Sequence, residues 1–91
     1  MPSVVTPTRA ADLAVDDVID IVPALEWLRE HAEMPVDTIL LAMDIAAFGD
    51  AVITDVRRHT HAVTNEPVVI LYNTVHDIVV PEFLSIPRIT A

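Results

Sequence analysis

The histidines are the side chains of this sequence best suited to chemistry. His59 and His61 are two residues apart in a segment rich in Val, Ile and Thr, and side chains two apart in a β-strand point to the same face. Imidazole and carboxylate groups are ordinary zinc ligands, so this pair could hold a metal ion together with His76 or Asp77 from a neighbouring strand. A polar, exposed face of a hairpin explains the same pattern with fewer assumptions. We therefore predict no metal site and no cofactor.

One basic cluster occurs in the sequence, and it comprises Arg57, Arg58, His59 and His61. Basic strands can bind nucleic acid when cationic side chains are combined with aromatic ones. Two arginines are a weak attraction in a chain of net charge −9, because binding to phosphate backbones depends on clustered cations. A nucleic-acid-associated factor acting through this strand is therefore the alternative hypothesis, and nucleic acid is not the expected partner.

Acidic residues concentrate in the first half of the chain. Residues 1–50 contain ten acids and two arginines, whereas residues 51–91 contain four acids and three arginines. A solvated face that keeps an apolar protein soluble is the simplest explanation. Alternatively, acids such as Asp16, Asp17 and Glu30 could bind a basic protein, or imitate a phosphate backbone and so block a DNA-binding protein. These three are candidate partner-binding residues, and an anionic membrane is not an expected partner.

The sequence does not indicate catalysis. Ser3 and Ser85 are the only serines, and neither has the flanking glycines of a nucleophile elbow. Gly49 is the only glycine, which excludes a glycine-rich phosphate loop. There is no cysteine, which excludes disulfides and thiolate chemistry. We expect a protein that is not an enzyme.

Composition describes the domain that positions these residues. The chain has 91 residues, of which 53 % are hydrophobic, and a single domain of this size leaves part of such apolar surface exposed. An exposed apolar patch usually marks an interface, so a protein partner or a second copy is expected. The N-terminal residues lack a secretory signal pattern, and no apolar run is long enough to span a bilayer. The predicted location is cytoplasmic.

The first half predicts a loose arm, a strand and two helices. Residues 1–8 contain two prolines and no periodicity, which predicts the arm, and the β-branched run of 18–22 predicts a strand after an Asp16-Asp17 turn. Pro23 suits a helix start, and apolar residues follow at helical spacing to residue 33. A second helix is predicted over 39–48, with a strand over 38–42 as the alternative. Its C′ residue is expected to be Gly49. The candidates for facing outward are Trp27, Leu41 and Phe48, with a core role as the favoured alternative for each of them.

The second half predicts β-structure. The segments 51–61, 68–72, 75–80 and 86–89 are rich in β-branched residues and are separated by turn residues such as Asn65 and Asn73. Short strands at this spacing are typical of an antiparallel meander or a small barrel.

The sequence also resembles small SH3-like β-barrel domains of actinobacteria and their phages over about residues 9–22 and 51–90. Four segments carry the resemblance: 11–19 (ADLAVDDVI), 52–58 (VITDVRR), 68–72 (VVILY) and 79–81 (VVP). A glycine usually stands in that pattern where this chain has Asp16, which also suits a turn. The resemblance implies an α+β domain over 9–91, with a five-stranded antiparallel barrel and a two-helix insertion at about 23–49, after the first strand.

The function expected from these observations is that of a noncatalytic protein-interaction module. It would associate with itself or dock on a host protein, in a phage or an actinobacterium, through the inserted helices. The candidate residues on those helices are Trp27, Leu41, Phe48 and Glu30.

Overall fold

The computed structural model describes residues 3–90, and they form one α+β domain. Six strands and two helices follow one another along the chain, with a 3-10 turn at Ala10–Asp12 after the first strand. The strands are β1 (Val4–Arg9), β2 (Val18–Ile19), β3 (Ala51–Thr60), β4 (Pro67–Asn73), β5 (Ile78–Pro81) and β6 (Ser85–Thr90), and the helices are α1 (Val22–Glu30) and α2 (Val36–Ala46). The prediction of an α+β domain with two helices after a short strand is confirmed.

All strand pairs are antiparallel, and the sheet order is β1-β6-β2-β3-β4-β5. The sheet is open, with β1 and β5 at its two edges, so the predicted closed five-stranded barrel is not confirmed. After β1 the chain leaves the sheet at Ala10, whose N–H donates to the Leu84 carbonyl in the β5–β6 turn (2.8 Å). Within residues 3–90, β1 pairs only with β6, and the sheet therefore stays unclosed.

Strand β1 was not predicted, and it lies in the segment that was expected to be a loose arm. Val4–Arg9 pairs with Ser85–Thr90 over six residues, from Val4 opposite Thr90 to Arg9 opposite Ser85. Its partner is about eighty residues away in the sequence, so local patterns gave no indication of the pairing. Residues 1 and 2 of the predicted arm lie outside the described residues.

Helix α1 forms where proline and apolar spacing predicted it, although it starts earlier. The Asp20 carboxylate accepts the Val22 N–H (3.1 Å), and Pro23 occupies the first turn. At the other end the Glu33 N–H donates to the Leu28 carbonyl (2.9 Å), and the Ala32 N–H donates to the Arg29 carbonyl (3.2 Å). This is a Schellman motif with Ala32 in the left-handed conformation (φ 53°) that glycine usually occupies.

Helix α2 is a single helix, so the alternative of a strand over 38–42 is wrong. Pro35 is the residue before the helix, and no side chain caps its N-terminus. The helix ends at Ala46, and Gly49 does not adopt a positive φ. The expectation of Gly49 as a left-handed C′ residue is therefore wrong, because Ala47 continues in right-handed backbone (φ −66°).

One hydrophobic core holds the helices against the sheet. No polar or charged residue among residues 3–90 is buried, so burial of apolar area is the main source of stability. The largest fully buried side chains come from both layers and are Ile19, Ile21, Leu25, Leu28, Ile39, Ile53, Leu71, Ile78, Ile86, Val69 and Val80.

Candidate functional site

The outward face of α2 carries large apolar side chains. Leu41 is 60 % exposed, and Phe48, just beyond the helix, is 94 % exposed. With Ile45 they are spaced four and three residues apart, which places all three on one face. We call Leu41, Ile45 and Phe48 the α2 stripe. The inward face of the same helix buries Ile39 and Ala42, so the helix is apolar on both sides.

Acidic side chains border one side of the α2 stripe. Asp37, in the first turn of α2, and Asp44, in its third turn, are both exposed, and the sequence of α2 contains no arginine. The surface around the stripe therefore combines an apolar centre with a negative margin.

Trp27 is not placed on this face. Its side chain is half-buried against the core, and its ring stacks on His31 with 3.8 Å between ring centroids and 17° between planes. Leu41 and Phe48, two of the three candidates for facing outward, point to solvent, whereas Trp27 lies on α1 beside residues of β4 and β5.

The aspartates at 16 and 17 form a turn. Asp16 has φ 74°, in the left-handed region that aspartate tolerates. The Asp17 carboxylate accepts the Ala14 N–H at 2.8 Å, and the Asp17 carbonyl accepts the Ile53 N–H at 2.8 Å. These contacts tie the β2 entrance to β3, which gives Asp17 a structural role.

The basic cluster divides between two places. Arg58 and His59 are exposed on β3, and Arg57 donates from Nε to Asp55 Oδ2 at 3.1 Å. The hydrogen bond that Asp55 accepts from Arg57 lowers the pKa of Asp55, and the hydrogen bond from the Val56 N–H lowers it further by a smaller amount. The hydrogen bond between Asp55 and Arg57 also raises the pKa of Arg57. His61 lies past the end of β3, in a groove on the helix side of the domain.

His61 is held by contacts from two segments. Its Nδ1 accepts the N–H groups of Val63 (3.1 Å) and Thr64 (3.2 Å), and its Nε2 lies 3.5 Å from Glu33 Oε2. Since Nδ1 is an acceptor in this arrangement, the proton of the neutral ring is on Nε2 and faces the carboxylate. His61 thus links the β3–β4 turn to the connection between α1 and α2.

A groove of about 390 Å³ lies beside this link. We call it the histidine groove. Its walls come from both helices, the connection between them, and the segments next to β3 and β5, and its lining residues are Leu28, Glu33, Met34, Pro35, Thr38, His61, His76, Asp77 and Val79. The structure brings His61, His76 and Asp77 to one groove, as the metal hypothesis required, but His59 is not part of its lining. Glu33 was missed, because a turn with a left-handed alanine positions it.

Metal binding by these groups is not supported by their geometry. Within residues 3–90 no three His, Asp or Glu side chains are arranged to hold a metal ion.

None of the helices in that part of the chain is long and apolar enough to cross a bilayer.

The observations define a small α+β domain with an open antiparallel sheet, an exposed apolar face on α2 and the histidine groove. No protein-family model, curated protein or solved structure matches the chain. Its function has to be argued from its own surfaces.

Proposed function

We propose that this protein is a noncatalytic protein-interaction module, and that the α2 stripe binds an amphipathic helix of a partner whose apolar face is flanked by basic residues. The observation that carries the proposal is the exposure of Leu41, Ile45 and Phe48 on a helix whose other face is already buried in the core. Such a patch on a soluble domain usually marks an interaction site.

The α2 stripe has the spacing of a helix-binding surface. Two helices pack when rows of side chains three and four residues apart interlock. Phe48 supplies a large aromatic side chain at one end of the row, and aromatic side chains often provide much of the binding energy of an interface. Val36 and Leu40, both exposed, add apolar area to the same helix on the far side of Asp37 and Asp44.

Charge favours a basic partner over a second copy of the chain. Asp37 and Asp44 border one side of the stripe, and the chain as a whole carries a net charge of −9. A symmetric dimer places the same surface on both sides of the interface, so two negative margins would face each other. A partner with arginines or lysines beside its apolar face gains attraction and a faster association rate instead.

A designed peptide tests this surface directly. The probe is an amphipathic helix of roughly 18 residues, five turns, with leucines at helical spacing and arginines on both sides, followed by fluorescence anisotropy. We expect saturable binding that Leu41→Glu weakens at least tenfold, since the change puts a charge into the apolar contact. The matched control is Phe83→Ala, because Phe83 is 67 % exposed in the β5–β6 turn, outside the stripe.

Three results would contradict the proposal. One is equal binding of a peptide in which glutamates replace the arginines, and another is binding that Leu41→Glu leaves unchanged. The third is a doubling of mass with concentration, measured by sedimentation, that Leu41→Glu abolishes, since this would place a second copy on the stripe.

The nucleic-acid alternative has less support. Arg57 is already paired with Asp55, and His61 lies in the histidine groove. Arg58 and His59 are therefore the exposed members of the basic cluster that are left on β3 without such a contact to an acidic side chain among the described residues. A cytoplasmic location and a phage or actinobacterial origin stay predictions.

A further inference from the structure

The histidine groove is a second surface with features of a binding site, and it differs from the α2 stripe. Its volume of about 390 Å³ corresponds to roughly a dozen water molecules at their share of liquid volume. This is enough for a small organic group. Four of its lining residues, Leu28, Met34, Pro35 and Val79, are apolar, and the rest are polar or ionisable.

The hydrogen bonds of the two histidines determine what the groove offers a ligand. His76 Nδ1 lies 2.8 Å from the Asp77 carbonyl, so Nδ1 carries the proton and Nε2 of the neutral ring is left as an acceptor. His61 uses Nδ1 to accept two backbone N–H groups and directs Nε2–H toward Glu33. The Nε2 proton of His61 is therefore directed at the Glu33 carboxylate and is not free to bind a ligand.

The carboxylates add further acceptor capacity. Glu33 has its His61 contact at 3.5 Å, and Asp77 Oδ1 accepts the Asn73 N–H at 3.4 Å. Each carboxylate has about four acceptor positions, so both have room for more donors. Among the described residues that line the groove there is no arginine, and the groove is thus rich in acceptors and negative in charge.

We propose that the histidine groove binds a guanidinium or ammonium group carried on an aliphatic stem. The cation donates hydrogen bonds to Glu33 and Asp77, since such groups have several N–H donors and no acceptor. The stem packs on Met34, Pro35 and Val79, as the methylene groups of lysine and arginine do on apolar surfaces. This site does not depend on the α2 stripe, because none of the three stripe residues lines it.

Two probes of the same shape test the charge. Butylguanidinium and neutral butylurea are titrated separately into the labelled protein, and the backbone amide and imidazole nitrogen signals are followed by NMR. We expect saturable shifts at Glu33, Thr38 and His76 with butylguanidinium and none with butylurea. Equal responses to both probes, or no saturable response to either, would overturn the proposal.

Matched variants test the residues. Glu33→Gln and Asp77→Asn are each expected to raise the Kd for butylguanidinium at least tenfold, because each removes a charged acceptor. The controls Glu30→Gln and Asp44→Asn remove the same charge outside the groove and are expected to change the Kd less than twofold. Equal weakening by the controls would show attraction to net charge alone. Asp77→Asn is the decisive variant if Glu33→Gln disturbs the fold, because it leaves the His61–Glu33 contact intact.

Two further outcomes locate the source of the cation and the limit of the proposal. Release of the arginine-flanked peptide by butylguanidinium would identify the ligand as a partner's arginine, and binding without such release would identify a free small cation. Both support the site, and Leu41→Glu leaves it unaffected while it removes peptide binding to the stripe. Zinc shifting both imidazoles with no response to butylguanidinium would overturn the proposal in favour of a metal site.

Discussion

The histidine groove and the α2 stripe are built in opposite ways. The groove is lined by side chains whose directions are set by hydrogen bonds, as at His61 and His76. The stripe is a row of apolar side chains whose exposed groups have no polar partner to orient them. Directed acceptors select the charge and shape of a ligand, whereas apolar area supplies affinity without direction. The proposed site in the groove would therefore select its ligand by charge and shape, and the proposed interface on the stripe would supply affinity.

The two regions also differ in how far they depend on the core, and a pair of leucines measures this. Leu28 lines the groove but is 99 % buried, since its exposed fraction is 1 %. Leu28→Ala is expected to lower the free energy of unfolding by about 2–5 kcal/mol, through lost burial and the cavity left behind. Leu41→Ala, in the stripe, is expected to stay within about 0.5 kcal/mol of the parent protein. Urea denaturation followed by circular dichroism measures both, and equal losses would contradict the assignment of Leu41 to a free surface.

A pair of alanines tests the turn that positions Glu33. Ala32→Gly is expected to raise the free energy of unfolding by about 1 kcal/mol, because Ala32 has a left-handed backbone that a Cβ disfavours. Ala47→Gly is the control with the opposite sign, since Ala47 is right-handed at the end of α2, and it is expected to cost about 0.5–1 kcal/mol. Thermal unfolding compares them, and a loss of stability in both would contradict the Schellman motif after α1.

The smallest expected effect concerns Asp55, which lies outside both regions. Its pKa is lowered in the folded protein, chiefly by the Arg57 hydrogen bond. A carboxyl group whose pKa is lower in the folded state stabilises the fold at pH values above its pKa in the unfolded chain. This contribution is lost as the pH falls through the pKa of the folded state. Below about pH 4, where aspartate titrates in unfolded chains, Asp55→Asn should therefore reduce the acid dependence of stability slightly. Urea midpoints from pH 2 to 6 measure the slope, with Asp44→Asn as the exposed control.

The sequence was informative where the determinants are local. The helices follow from Pro23 and from apolar spacing, and β3 to β6 follow from β-branched runs between turn residues. The turn at Asp16 was also predictable, because aspartate tolerates the left-handed backbone that it adopts there. Leu41 and Phe48 could be named only as candidates for the outward side of α2, because a helix that is apolar nearly all round does not show which of its faces is buried.

What was missed depends on distant parts of the chain or on an unusual residue. Val4–Arg9 becomes a strand because it pairs with Ser85–Thr90, and its own pattern is not distinctive. Glu33 contacts His61, which is 28 positions further along the chain. The turn that joins α1 to Glu33 uses Ala32 in a left-handed conformation that alanine rarely adopts. A residue's type alone predicts neither contact, so the groove could be seen only after the fold was known.

The open sheet has a consequence for solubility. Its edge strands β1 and β5 leave backbone groups free to pair with another chain, which in principle invites fibre growth. Both edges contain a proline, Pro7 in β1 and Pro81 at the end of β5, and proline has no N–H to donate to an added strand. β5 is also only four residues long. The prolines and the short β5 thus limit the recruitment of further strands at both edges of the sheet.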